Sequence, residues 1–181
     1  MMTTALILVD IQNDYFEGGA WPVAKMAQAA ENAARLLKHA RETGQLVVHI
    51  RHEGRPTSPF FRPGTEGAEI HTSVAPSAGE AVVLKHRPNS FQGTDLQNIL
   101  QGAGVERVIL CGAQSQMCID ATTRAAVDMG YETIVAEDAC GAKEAQFGGV
   151  TVPAEMVHAA FMSPLAMSYA KVVTTDQVLN G

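Results

Sequence analysis

The chain has 181 residues, 46% of them hydrophobic and 18% charged, the composition of a globular protein with a sizeable core, not a disordered or fibrous one. A net charge of −6 and the lack of any basic run exclude the electrostatic footprint of a nucleic-acid binder, and no apolar segment approaches the ~20 residues that cross a bilayer. Three cysteines, Cys111, Cys118 and Cys140, are too few and too oddly spaced for a disulfide framework or a zinc knuckle, so free thiols in a reducing cytoplasm are expected.

The opening MMTTALILVD has no basic n-region of the kind a signal peptide carries, and it runs directly into a strand, ALILVD (5–10). Residues 26–42 follow as a helix, with apolar residues three and four apart and Gly44 as a stop. QLVVHIR (45–51) is the second strand. The stretch 52–80 is rich in Gly, Pro and Ser and holds little periodicity, a long loop of the kind that usually serves function. AVVLK (81–85) is the third strand. A helix over 94–101 comes next, with Thr94 as N-cap and Gly102 as its stop. RVILCG (107–112) is the fourth strand, and a helix over 118–129 ends at Gly130. ETIVAED (132–138) is the fifth strand, followed by an insertion at 139–152. A helix over 153–169 has Pro153 near its first turn, and KVVTT (171–175) is the sixth strand.

The strand runs are apolar throughout instead of alternating, as in strands covered on both faces. Alternation with helices predicts an α/β fold with a parallel sheet and right-handed crossovers, in one domain over 1–181. In such sheets ligands bind beyond the carboxyl ends of the strands. Asp10 closes the first strand, Lys85 closes the third, and Cys118 follows the fourth after a short turn, GAQSQMC. A thiol in the first turn of a helix has its pKa lowered by the dipole and the free N–H groups, with Ser115 or Gln116 available as cap. A carboxylate and an ammonium beside it supply a general base and a charge favouring the thiolate. Cys111, inside a strand, and Cys140, after one, read as buried sulfurs.

Three segments in order, LILVDIQNDYFEGG, RPGTEGAEIHTSV…LKHRPNSFQGTDL and VILCGAQSQMCIDATTRAAVDMGYETIVAEDAC, resemble the signatures of the isochorismatase-like cysteine hydrolases. That family includes nicotinamidases, N-carbamoyl amide hydrolases and streptothricin hydrolases, and the resemblance runs nearly end to end. It implies a three-layer α/β/α, Rossmann-like fold whose six-stranded parallel sheet places the first and fourth strands side by side. It also implies a catalytic triad: Asp10 takes the thiol proton and later activates water, Cys118 carries the acyl group, and Lys85 balances charge. The family's cis peptide maps to Ala113–Gln114 and turns the Gln114 N–H toward that of Cys118, an oxyanion hole worth about 2.7–4 kcal/mol per donor.

The resemblance places Tyr15 and Gln12 at the substrate pocket, Gln12 nearer the core. Phe60, Arg87 and Met117 are further pocket candidates, with Asn89 beside Arg87, and Trp21, Phe61 and Arg62 lie on loops that cover the crevice or an interface. The metal-binding Asp-x-His pair of nicotinamidases is replaced here by RHEG (51–54), with His52 for the aspartate and Gly54 for the histidine. His71 alone rarely holds a metal, and His49, His52 and His71 lack zinc-site spacing, so no metal and no cofactor are expected. Expected partners are a small-molecule substrate and further copies of the chain, as a dimer or tetramer, with no nucleic acid and no membrane. Hydrolysis of an amide, carbamoyl or cyclic amide C–N bond is the leading reading. Vinyl-ether hydrolysis, known in a branch without the cysteine, and a non-catalytic ligand-binding role are the alternatives. A thiol-redox role ranks last for want of a Cys-x-x-Cys.

Overall fold

The computed structural model describes residues 2–180. In chain order its elements are β1 (Thr4–Val9), α1 (Met26–Glu42), β2 (Leu46–His52), β3 (Ala81–Lys85), α2 (Leu96–Gly102), β4 (Arg107–Ala113), α3 (Asp120–Asp128), β5 (Glu132–Gly141), β6 (Ala145–Phe147), β7 (Val150–Val152), α4 (Ala154–Ser168), β8 (Lys171–Val173) and α5 (Thr175–Leu179). Six strands form one parallel sheet in the order β3-β2-β1-β4-β5-β8, and β6 and β7 pair as a separate antiparallel hairpin. The order reverses between β1 and β4, the adjacent pair that the family resemblance implies.

The apolar strand runs arise because both faces of the sheet are covered. Along β1, Leu6 and Leu8 pack on α1 through Ala29, Ala33 and Leu36, with Val178 and Leu179 of α5 at the margin. Ala5, Ile7 and Val9 point the other way, into a core with Leu100 of α2, Ala126 of α3 and Leu165 of α4. No helix among the described residues is long and apolar enough to cross a membrane.

The elements depart from the sequence reading at several edges. The sixth strand stops at Val173, and Thr174 instead caps α5 in a box with Gln177, accepting the Gln177 N–H while the Gln177 side chain accepts the Thr174 N–H. Helix α2 starts at Leu96 after Asp95, and Gly104, not Gly102, takes the left-handed φ of 63°. Pro153 stands just before α4. The insertion at 139–152 begins inside β5 and then forms the β6–β7 hairpin. A bulge separates the β4–β5 pairs Leu110–Val135 and Gly112–Cys140. Gly112 is needed at φ 126°, since a Cβ there would lie 1.9 Å from the Val9 carbonyl oxygen.

The long 52–80 loop is pinned to the segment after β1. The Asn13 N–H donates to Glu69 O at 3.1 Å and the His71 N–H to Ile11 O at 2.9 Å. Buried Asp14 accepts the Phe61 N–H at 2.6 Å and the Ala20 N–H at 3.1 Å. At the far end of the loop, Glu80 receives Arg41 of α1 at 2.7 Å and faces buried His49 of β2 at 2.9 Å. Hydrogen bonding from Arg41 is the main cause that lowers the Glu80 carboxyl from 4.5 to about 2. A depressed carboxyl stabilises the fold above its unfolded pKa, and that contribution is lost as pH falls through the folded value. Glu80→Gln is therefore expected to be less stable than the parent at pH 5, and denaturant titrations should show the gap closing between pH 4.5 and about 2.

Candidate active site

Asp10 lies one residue beyond β1 at φ 53°, a left-handed conformation that Asp tolerates better than most residues. Its N–H is tied to Ile50 O at 3.1 Å. Lys85 is the last residue of β3, two strands away from β1, and its long stem crosses the end of β2 to reach the carboxylate. Lys85 Nζ lies 2.8 Å from Asp10 Oδ2, with both side chains fully out of water. The same ammonium donates to Cys118 Sγ at 3.2 Å and to the carbonyls of Arg87 at 3.1 Å and Pro88 at 3.3 Å. The structure thus brings together the three residues that the strand-end reading singled out.

The charges in this cluster sort themselves by burial and partner. Burial opposes the Asp10 carboxylate, but the Lys85 ammonium overcomes it, and the carboxyl titrates below its ordinary 3.8. Burial equally opposes the Lys85 ammonium, yet Asp10 and Cys118 hold it above 10.5. For Cys118, burial and then the Asp10 carboxylate push the thiol well above 9.0, against a smaller pull from Lys85. This reverses the expected lowering. Cys118 sits fourth in a π turn, Ser115–Ile119, rather than in the first turn of an α-helix, and it is only 4% exposed, so desolvation outweighs any helix-end effect. The sulfur lies within 4.8 Å of a carboxylate, and neither Asp10 oxygen receives a well-aligned hydrogen bond among the described residues.

The turn also supplies donors. The Ala113–Gln114 peptide is cis. The Gln114 carbonyl accepts the N–H groups of Met117 at 3.0 Å and Ile119 at 3.2 Å, while no acceptor among the described residues takes the Gln114 N–H. Neither Ser115 nor Gln116 caps the turn with its side chain. Gln116 instead donates to Gln114 Oε1 and to Lys143 O, both at 3.0 Å.

His52, considered in the sequence only as a metal-ligand replacement, stands against the charge pair. Its Nδ1 lies 3.2 Å from Lys85 Nζ and 3.9 Å from Asp10 Oδ2. An ammonium has no lone pair, so in this contact Nδ1 is the acceptor. The signal lay in its position, at the end of the strand that Lys85 must cross. Gln12 is fully buried and belongs to this support, not to the pocket wall. Its amide accepts the His52 N–H at 2.8 Å and donates to His52 O at 2.8 Å and Ala68 O at 2.7 Å. The ligand atoms of Asp10, His52 and Cys118 fall within 4.8 Å of one another, the one such trio among the described residues. They surround Lys85 Nζ, so the space a metal would need already holds a cation. His49 and His71 take no part: His49 faces Glu80, and the His71 ring stacks on Phe16 at 3.7 Å.

The remaining pocket candidates divide. Buried Tyr15 packs on Phe61 at 4.5 Å and Phe60 at 5.8 Å, and Phe60 stacks on Trp21 at 5.0 Å. Burial is the main cause that drives the Tyr15 hydroxyl well above 10.0, and the Asp10 carboxylate adds to it. Lys143 from the second insertion lies 4.9 Å over the Trp21 ring, so both long loops converge on this aromatic group. Met117 is half exposed, and Asn89 accepts the Phe91 N–H in a local turn. Arg87, with Arg55, His86, Ser58 and Glu53, lines a cavity of about 360 Å³ that reaches His52 but not Asp10, Lys85 or Cys118.

The model of the Isochorismatase domain matches residues 4–177 of the chain. The isochorismatase family protein YddQ of Bacillus subtilis is 51% identical, over 98% of this chain and 99% of that protein. Maleamate amidohydrolase of Pseudomonas putida is 34% identical, over 76% of this chain and 71% of that protein. Among solved structures, an isochorismatase hydrolase from Oleispira antarctica has a TM-score of 0.96 at 52% identity, over 99% of this chain and 97% of that one.

The charge order of the site fixes the sign of one substitution. Asp10→Asn removes the anion that raises the thiol and leaves the Lys85 ammonium that lowers it. Iodoacetamide at pH 8 is therefore expected to alkylate Cys118 of the variant several-fold faster than in the parent, read by intact mass.

Proposed function

The chain belongs to the isochorismatase family, and we propose that its Asp10–Lys85–Cys118 site hydrolyses the C–N bond of a small amide, carbamoyl or cyclic amide compound through an acyl group on Cys118. The observation that carries this reading is a thiol held 3.2 Å from an ammonium that is itself 2.8 Å from a carboxylate, all shielded from water. A relative named as an amidohydrolase supports the bond class.

In the proposed cycle Sγ attacks the carbonyl carbon as its proton passes to Asp10. The S–C bond forms, and the carbonyl oxygen gathers charge opposite the N–H groups of Gln114 and Cys118. Asp10 then returns the proton to the departing nitrogen as the C–N bond breaks. A water enters, loses a proton to Asp10 and attacks the thioester. Sγ leaves and regains that proton, and a carboxylic acid is released. Lys85 stays protonated throughout and faces the sulfur whenever it is anionic. Tyr15 and Phe60 form the apolar wall of the pocket. Arg55, His86 and Arg87 line the cavity beyond His52 together with Glu53, whose carboxylate is paired with Arg51, so the two guanidiniums suit a substrate with a polar or carboxylate-bearing end.

A panel of ureido acids, primary amides, lactams and imides, each with and without a carboxylate, tests the reading. Turnover is expected for at least one member, with an acyl adduct on Cys118 by intact mass. Cys118→Ala is expected to reduce kcat/KM by about 10³-fold or more, and a variant that keeps its turnover sinks the proposal. Arg87→Ala is expected to raise KM about tenfold for carboxylate-bearing members, roughly the loss of one charged hydrogen bond, and to leave the neutral ones unchanged.

A further inference from the structure

Ser115 opens the π turn that carries Cys118, directly after Gln114, and its side chain is 0% exposed. Its hydroxyl donates to Gly141 O of β5 at 3.1 Å and also meets Nδ1 of His158, on α4, at 2.8 Å. A hydroxyl has one proton and a carbonyl has none. Both contacts are hydrogen bonds only if the Ser115 proton goes to Gly141 and His158 Nδ1–H donates to Ser115 Oγ. On the far side of the ring, Nε2 faces Glu137 Oε2 of β5 at 3.4 Å. The chain Glu137–His158–Ser115–Gly141 thus clamps the start of the nucleophile turn between α4 and the end of β5. It touches none of the reacting atoms.

We propose that His158, acting through Ser115, is a positioning residue for the oxyanion hole. It holds the backbone at 114–118 so that the Gln114 and Cys118 N–H groups converge on one oxygen. The inference rests on the acyl-enzyme reading above. Its imprint is selective: it affects steps that build charge on a carbonyl oxygen, not the sulfur's reactivity as such.

Two reagents for the same thiol separate these effects. p-Nitrophenyl acetate acetylates Cys118 through a tetrahedral oxyanion: the S–C bond forms, p-nitrophenolate leaves, and the thiol proton goes to Asp10. Iodoacetamide alkylates it at a saturated carbon: the thiol proton goes to the buffer, the S–C bond forms, iodide leaves, and no oxyanion appears. Ser115→Ala and His158→Ala are expected to slow acetylation about tenfold or more, since a displaced donor forfeits much of the 10²–10³-fold that a deleted one costs. Alkylation should stay within about twofold of the parent. His158→Asn, which keeps a donor at the Nδ1 position, should restore most of the acetylation rate, and His158→Gln, with its donor at the Nε2 position, should not. If the alanine variants do not fold, the Asn and Gln pair makes the same comparison. Equal slowing of both reagents, unchanged acetylation, or Asn no better than Gln overturns the proposal. If the parent itself is never acetylated on Cys118, the acyl-enzyme reading fails and this one falls with it.

Discussion

Everything at the top of this sheet is arranged around an ammonium that has lost its water. Lys85 Nζ lies between Asp10 and Cys118 with no exposed surface, and an ion so placed must find several kcal/mol of compensation from its neighbours. The carboxylate at 2.8 Å, two backbone carbonyls and the lone pair of His52 provide it. Those contacts require the ends of β1 and β3 to be held on either side of β2, and the Gln12 amide bound to both backbone groups of His52 fixes that geometry. The polar network beneath the site therefore serves the charge pair first, and the thiol inherits a facing carboxylate and ammonium from it.

The parallel sheet and its strand ends were legible because their cause is local. A strand covered on both faces must be apolar throughout, and a charged residue closing such a run stands out, which is how Asp10 and Lys85 emerged. The short final helix was hidden because KVVTT continues its β-branched run into Thr174, whose capping role depends on Gln177 three residues later. The state of the thiol was misjudged for another reason. A helix start suggests a low pKa, but burial and the facing carboxylate depend on residues more than a hundred positions apart in the chain. His52, Gln12, Ser115 and His158 carry no sequence pattern of their own. Each acquires meaning only from a neighbour on a different element.

Membership of the isochorismatase family and the geometry of the site constrain different things. The family bounds the fold and the kind of bond within reach. In the proposed cycle the geometry bounds the order of proton transfers, because a thiol that keeps its proton needs Asp10 to be unprotonated when the carbonyl arrives. Under the proposed function, discrimination between substrates falls to the long loop and the second insertion, which meet at Trp21. A few side chains there decide differences of ~1–3 kcal/mol each, so substrate choice can shift without touching the charge pair.

The bulge in β5 has a consequence of this kind. Between its two anchored pairs with β4 it carries Glu137 and Asp138, and the two side chains go to opposite layers. Glu137 turns toward His158 on α4, while Asp138 accepts the Thr175 N–H at 2.6 Å and its carbonyl takes the Asn32 amide at 2.9 Å. One loop-out thus sets the distance from the nucleophile turn to one helical layer and from the sheet to the other. Its length cannot drift by a single residue without uncapping a helix on one side and releasing the turn on the other. Among diverging sequences, this segment should tolerate exchange of its letters far better than any change in their number.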